Sequence, residues 1–179
     1  MRYGRYGLRC LSLLLITSAT VGCSTSESKQ EFAVPKTLCG VTVPAAPLSD
    51  LLPASGKRLA VEPTGSLDNG SALCQVRVDG DTVLDVSSER IDAGGSAPDI
   101  LRSRLSVRDQ KSAKGNSIAY DDHAAVSLIK CRGSKVQEED ISILIKLLKP
   151  ARPDEAAMMR LAERYTASVE SQNPCKAAS

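Results

Sequence analysis

The positions of the cysteines place the strongest constraint on how this chain can fold. Of the six cysteines in the 179-residue sequence, four follow the N-terminal region, at Cys39, Cys74, Cys131 and Cys175. None of these four lies at C-x-x-C spacing from another, and the single histidine, His123, is not at zinc-type spacing from any of them. In an exported chain, an even number of widely spaced cysteines predicts two disulfides. We therefore expect neither a metal site nor another cofactor.

The first 22 residues have the three parts of a secretory signal. They begin with the basic stretch MRYGRYGLR, continue through the apolar run CLSLLLI and approach Gly22 through small residues. The apolar run is too short to cross a bilayer as a helix. The pattern therefore predicts export into a compartment in which disulfides persist.

The residues around Cys23 resemble the lipobox of bacterial lipoproteins. Gly22 directly precedes the cysteine, Val21 fits the pattern, and the polar stretch STSES follows. Thr20 departs from the pattern, because Leu, Val or Ile is commonest at that place. The resemblance covers residues 1 to about 28. It implies that the Cys23 thiol carries a diacylglyceryl group and that the chain is cut just before it.

A plain signal peptide that leaves Cys23 as a free thiol is the alternative. An exposed unpaired thiol is an oxidation liability in a secreted protein, so the cysteine count favours lipidation. On that interpretation residues 1–22 are the signal peptide, residues 23–36 a flexible polar tether and residues 37–179 a single α+β domain. The expected location is the extracytoplasmic face of the cell membrane, contacted through the lipid on Cys23.

Charge and composition disfavour several classes of partner. Removing the signal takes away three arginines and no acids, so Lys+Arg falls from 23 to 20 against 21 acids and the net charge changes from +2 to −1. A nearly neutral mature chain lacks the basic footprint of a nucleic-acid-binding protein. The chain has no Trp and a single Phe. This scarcity disfavours sites for sugars or quaternary ammonium ions, which depend on aromatic faces.

Alternating and helical patterns predict an α+β fold. The segments ALCQVRVD and TVLDVSSERI alternate apolar and polar residues on either side of Asp79-Gly80-Asp81, which is typical of a β-hairpin. NSIAY, AAVSLIKC and DISILIKLL indicate further strands, and the last has apolar residues on both faces, as in a strand covered on both sides. Residues 154–172 carry apolar residues at helical spacing. We expect an antiparallel sheet of about five to six strands with a long C-terminal helix on one face.

The lengths of these elements predict which cysteines meet. The strand at 140–148 extends roughly 30 Å at about 3.3 Å per residue, and the following helix returns roughly 28 Å at about 1.5 Å per residue. The helix should therefore end beside the start of that strand, where the antiparallel partner strand ends at Cys131. Cys175 should then pair with Cys131, which leaves Cys39 for Cys74. Each bridge would contribute about 3 to 4 kcal/mol on the loop-closure model.

The segment YDDHAAVSL is the one place where acids and a histidine crowd together in the sequence. A nucleophile or metal scheme could involve Asp121, Asp122, His123 and Ser127. However, consecutive strand residues point to opposite faces, and Asp-Asp-His is also typical of a solvated turn. The sequence has no G-x-S-x-G, H-E-x-x-H, P-loop or dinucleotide motif. We therefore expect no catalytic, cofactor-binding or metal-binding residues.

The region from Ile91 to Lys114 is rich in Gly, Ser, Arg and Asp and lacks a clear packing pattern. PDILRSRLSV predicts a short helix within it, and residues 106–117 are expected to be a mobile loop. Long loops on a rigid scaffold often carry binding sites. This region is therefore a candidate interaction surface.

The signal, the tether, the two cysteine pairs and a small α+β domain together resemble the small cell-envelope lipoproteins of actinobacteria. Their arrangement is also similar to the disulfide-tied sensor domains of some mycobacterial receptor kinases. Both imply a non-enzymatic binding, sensor or accessory module with a protein or small-molecule partner. The alternatives are a small envelope enzyme of the hydrolase type and a protein-interaction partner of a transporter or receptor.

Overall fold

The computed structural model describes residues 30–131 and 139–175 of the chain. Strands and helices follow one another there in the order β1 (Thr37–Leu38), β2 (Val41–Thr42), α1 (Ala45–Leu51), β3 (Leu59–Ser66), β4 (Ser71–Val78), β5 (Asp81–Asp92), α2 (Ala97–Leu105), β6 (Lys111–Ala113), β7 (Ile118–Tyr120), β8 (Ala124–Lys130), β9 (Glu139–Leu147) and α3 (Glu155–Ser171). A short 3₁₀ turn, Leu67–Asn69, joins β3 to β4.

Seven strands form one antiparallel sheet in the order β3-β4-β5-β9-β8-β7-β6, and β1 pairs with β2 separately. Two meanders, β3 to β5 and β6 to β9, meet at the centre, where β5 pairs with β9 from Leu84↔Leu147 to Asp92↔Glu139. The predicted α+β class, the antiparallel sheet and the C-terminal helix are confirmed. The main sheet has seven strands because the short β6 and the proline-containing β3 join its edges.

The β4–β5 hairpin forms where the alternating pattern predicts it. Asp79 and Gly80 take positive φ values of 52° and 101° in the turn, and glycine adopts such values without steric cost. The Asp79 carboxylate accepts hydrogen bonds from the backbone N–H groups of Lys57 and Arg58, the latter at 2.9 Å. These bonds hold the pKa of Asp79 below its usual value. The turn is thereby tied to the segment that leads into β3.

The helix α3 covers one face of the sheet. The Asp154 carboxylate caps its N-terminus by accepting from the backbone N–H of Ala157 at 2.7 Å. Its buried side chains, among them Met158 and Leu161, join the main core with the isoleucines of β9. This face also receives α1 and the β1–β2 pair, so the main core lies between α3, α1 and the sheet.

The helix α2 covers the opposite face over β7 and β8, where a second, smaller core lies. Ala97 and Leu101 are fully buried there, and Leu144 of β9 packs against them, as predicted for a strand covered on both sides. The expected mobile loop at 106–117 is wrong in part, because β6 lies within it and pairs with β7, which follows it. The sequence could not reveal β6, since three residues carry too little pattern to identify a strand.

Both disulfides form as predicted. Cys39 is bonded to Cys74 with Cα atoms 5.8 Å apart, which joins the turn between β1 and β2 to the middle of β4. Cys131 is bonded to Cys175 with Cα atoms 5.2 Å apart, which joins the end of β8 to the segment after α3. The estimate that the helix returns to the start of its preceding strand therefore holds in three dimensions.

Part of the segment assigned to the tether belongs to the folded domain. Gln30 forms a bridge with Gly56, and the Glu31 backbone N–H donates to the Gly56 carbonyl at 2.8 Å. Phe32 is only 9% exposed and packs in the main core. The domain therefore extends to at least Gln30, because burial of this aromatic side chain holds the segment in place.

Two predictions fall on residues that the structure does not describe. The signal peptide at 1–22 and the lipidation site Cys23 both precede residue 30, so they lie outside the described residues. Among the described helices, none has the length and apolar character needed to cross a membrane.

Candidate functional site

The acids and the histidine at 121–123 lie together in the turn before β8. Asp121 Oδ1 accepts from the backbone N–H groups of His123 at 2.8 Å and Ala124 at 2.7 Å. His123 Nδ1 lies 2.6 Å from Asp122 Oδ1, and the three potential ligand atoms lie within 4.8 Å of one another. The Asp121 carboxylate shapes the turn, as expected of a solvated Asx motif.

Ser127 is turned away from this cluster and faces α3. Its side chain is 1% exposed, and its hydroxyl is hydrogen-bonded to Thr166 Oγ1. Thr166 Oγ1 donates its own proton to the Ala162 carbonyl at 2.8 Å, so Ser127 must be the donor in the contact with Thr166. The hydroxyl proton of Ser127 is thus used in the hydrogen bond that joins β8 to α3. The structure does not bring Ser127 together with His123.

A cleft of about 260 Å³ lies between the C-terminal half of α3 and the β3–β4–β5 part of the sheet. We call it the α3 cleft. Its lining includes the β5 residues Val86 and Ser88, the helix residues Tyr165 and Val169 with Gln172 just after the helix, the Cys39–Cys74 disulfide, and residues 63–67 at the end of β3 and the start of the 3₁₀ turn.

Small residues on the sheet side leave room for the α3 cleft. Ser88 stands on the core face of β5, two positions after Val86, and Ala72 lies opposite Ser88 on β4. Gly65 turns the end of β3 with a φ of 73°. A Cβ added to Gly65 would lie 2.6 Å from the Ser71 carbonyl oxygen, so the glycine is required for this close approach. The side chains of α3 therefore do not fill the space between the helix and this part of the sheet.

Two largely buried residues that carry hydroxyl groups, Tyr165 and Ser88, line the cleft, and neither hydroxyl is hydrogen-bonded to another described residue. Tyr165 is 3% exposed and Ser88 is 6% exposed, and both side chains border the cleft. Burial raises the pKa of Tyr165 to about 12, so its hydroxyl keeps its proton at neutral pH. Hydroxyl groups that line an open cleft are available to water or to a ligand.

Cross-links between distant parts of the chain hold the walls of the cleft. Gln172 Nε2 donates to the Gly40 carbonyl at 3.1 Å, which joins the end of α3 to the β1–β2 turn. Beside it, the Cys39–Cys74 bond fixes that turn to β4. Arg90 Nη2 donates to the Pro174 carbonyl at 3.0 Å just after the helix. The helix, the turn and the sheet therefore keep a fixed separation.

A wider and more open groove of about 820 Å³ follows the exposed side of β3 and β4. Its charges are of both signs and are partly paired: Arg77 lies 3.4 Å from Glu62, and Asp79 accepts the backbone N–H groups of Lys57 and Arg58. The α3 cleft is the stronger candidate, because it is more enclosed and contains unpaired polar groups.

The sequence contained Tyr165 and Ser88 within correctly predicted elements but gave no sign that they form a site. Tyr165 fits the apolar stripe of the helix, and Ser88 fits the alternation of the hairpin. The region 91–114, the candidate interaction surface, contains α2 and β6 and contributes to the second core, and its role in binding stays a prediction. Comparison with protein-family models, with curated proteins and with solved structures finds no match for this chain.

Proposed function

We propose that this protein is an exported, lipid-anchored component of the cell envelope, and that its folded domain is a non-enzymatic binding module with the α3 cleft as its ligand site. The observation that carries the proposal is the accessible cleft bordered by Tyr165 and Ser88, two largely buried residues whose hydroxyl groups make no hydrogen bond to another described residue.

The two disulfides support the exported location, since such bonds persist in oxidising compartments. The lipobox-like sequence supports attachment at Cys23. A chain from Cys23 to Gln30 can reach no farther than about 25 Å when fully extended. The folded domain would therefore work close to the membrane surface, within reach of ligands that arrive from or leave toward the bilayer.

A hydrolase of the serine type is less well supported. Such an enzyme needs a nucleophile within hydrogen-bond reach of its base. Ser127 is buried against α3 and donates to Thr166, whereas His123 lies in an exposed turn. The cleft and the Asp-Asp-His turn are also built from different elements, so they do not form a single catalytic constellation.

The experiment that tests the binding function fills the cleft. The chain from residue 24 to 179 contains every described element, and it would be exported with a cleavable signal so that both disulfides form. It would be incubated separately with an organic-solvent extract and an aqueous extract of bacterial envelopes. Native mass spectrometry would then measure the mass of the protein and of any complex. We expect a non-covalent adduct on the wild type that Ser88→Leu loses, because leucine at this position occupies the cleft.

Two further variants make the result decisive. Val169→Phe fills the same space from the helix. If both variants lose the adduct, a local defect that Ser88→Leu causes in the sheet cannot be the reason. Tyr120→Phe alters a tyrosine outside the α3 cleft and should retain the adduct. An adduct of equal abundance on both filled variants, or none on the wild type with either extract, would contradict the proposal.

A further inference from the structure

The chemistry of the α3 cleft is selective in its charge. Among the described residues that line it, none is Asp, Glu, Lys, Arg or His. The one titratable group in this described lining is the Tyr165 hydroxyl, which burial keeps protonated far above neutral pH. The remaining lining consists of aliphatic side chains, a disulfide, an amide and small hydroxyl groups.

We propose that the ligand of the α3 cleft is an uncharged molecule with an apolar body and one hydrogen-bonding oxygen, which is held by the hydroxyl groups of Tyr165 and Ser88. This inference rests on the proposed binding function and specifies its ligand class. Because each hydroxyl can both donate and accept, the pair suits an alcohol or a carbonyl oxygen. Val41, Val86 and Val169 supply the apolar contact.

The exclusion of ions follows from solvation. A carboxylate or an ammonium group that enters a cleft without a countercharge loses hydration and gains no ion pair in return. Burial also raises the pKa of Tyr165, so a charged tyrosinate is disfavoured at this position. By contrast, a neutral oxygen that reaches Tyr165 and Ser88 replaces its bonds to water with bonds to protein.

The size of the cleft limits the ligand further. Its volume of about 260 Å³ lies just below the usual range of about 300 to 1,000 Å³ for small-molecule sites. The ligand is therefore a small molecule or a slender chain. A bulky polycyclic compound would not fit without moving α3, which Gln172 and the disulfide beside it hold in place.

A matched set of probes tests the inference. The oxidised chain from residue 24 to 179, labelled with ¹⁵N, would be titrated at neutral pH with 1-octanol, octanoate and octylammonium, which share one apolar tail and differ in head-group charge. We expect 1-octanol to shift the amide signals of residues 65, 88 and 165, and both ions to bind at least about tenfold more weakly.

Paired variants test the role of the hydroxyl groups. Tyr165→Phe should weaken 1-octanol binding by about three- to tenfold, which corresponds to the loss of one hydrogen bond, and Ser88→Ala should have a similar effect. Tyr120→Phe and Ser142→Ala remove the same groups from half-buried and buried positions outside the cleft, and should leave the affinity unchanged.

The possible outcomes separate this inference from the function on which it rests. Equal binding of all three probes at residues 65, 88 and 165 would overturn the neutral ligand class and leave the binding site intact. An absence of shifts at these residues with 1-octanol would also overturn the ligand class, whereas the cleft-filling experiment decides independently whether the α3 cleft binds anything. If the amide shifts caused by 1-octanol are the same in Tyr165→Phe and Ser88→Ala as in the wild type, the two hydroxyl groups do not hold the ligand.

Discussion

At the scale of single residues, Tyr165 combines two roles that are usually separate. Its ring is part of the main core beneath α3, whereas its hydroxyl borders the cleft without a partner among the described residues. A phenylalanine would fill the same core position without burying a polar group. Packing alone therefore does not explain why a hydroxyl group stands at this position.

The same burial predicts a specific dependence of stability on pH. The pKa of Tyr165 is raised from 10.0 to about 12, so the folded state holds this proton more tightly than the unfolded state does. The contribution of Tyr165 is then fully present below about pH 10 and is lost as the pH rises toward 12. By about pH 11 the free energy of unfolding should fall by about 1.4 kcal/mol on this account.

Urea unfolding followed by circular dichroism from neutral pH to about pH 11 would measure this loss. Because lysines also titrate in this range, the informative quantity is the difference between the wild type and Tyr165→Phe, which should lack the decline due to Tyr165. Tyr120→Phe serves as the control and should keep it. Parallel curves for the wild type and Tyr165→Phe would show that burial does not raise the pKa of Tyr165.

At the scale of elements, α2 is a structural member of the fold. Its side chains Ala97 and Leu101 are fully buried against β7 and β8, and Ser96 caps its N-terminus by accepting from the Asp99 backbone N–H at 3.3 Å. An ion pair between Arg104 and Glu89 joins the helix to β5. Deletion of the region 91–114 would therefore expose the second core.

We predict that Leu101→Ala lowers the free energy of unfolding by about 2 to 4 kcal/mol, because it leaves a cavity in the second core. Ser103→Ala, on the exposed side of the same helix, should change it by less than about 0.5 kcal/mol. Urea denaturation of both variants, with the disulfides intact, would measure the two values. Similar small effects for both would mean that α2 does not pack against the sheet.

Several elements could be predicted from the sequence because their patterns are local and long. The β4–β5 hairpin, β8, β9 and α3 each carry enough alternating or helical periodicity to be identified. The sequence does not predict β3, because Pro63 and Gly65 interrupt its pattern, which an edge strand tolerates. It does not predict the α3 cleft either, since the cleft depends on how far α3 stands from Ser88, and such a distance has no signature in a single sequence.

At the scale of the whole molecule, the disulfide pairing was predictable for a different reason. Cys131 and Cys175 are 44 residues apart in the sequence, yet the chain between them consists mainly of one strand and one returning helix of nearly equal length. Regular elements have a fixed rise per residue, so their lengths alone locate their ends. The Cys39–Cys74 pair then followed by elimination.

The anchor at Cys23 gives the prediction that belongs to this scale. Full-length protein expressed in a bacterial host and extracted from the membrane fraction should have an intact mass that begins at Cys23, carries a diacylglyceryl adduct and lacks four hydrogens because of the two disulfides. Cys23→Ser should lose the adduct. An unmodified chain found in the medium would make Cys23 a free thiol and would remove the anchored location from the proposal.

The two disulfides also decide where this fold can begin to open. One bridge ties the turn that follows the N-terminal described segment to β4, and the other ties the segment after α3 to the end of β8. Neither β1 nor α3, the first and last described elements, can therefore separate from the sheet. Separation of the terminal elements is otherwise the usual first step of local unfolding. Opening must instead start at the lateral edges of the sheet, at β3 or β6. Exopeptidases should therefore degrade the folded domain slowly.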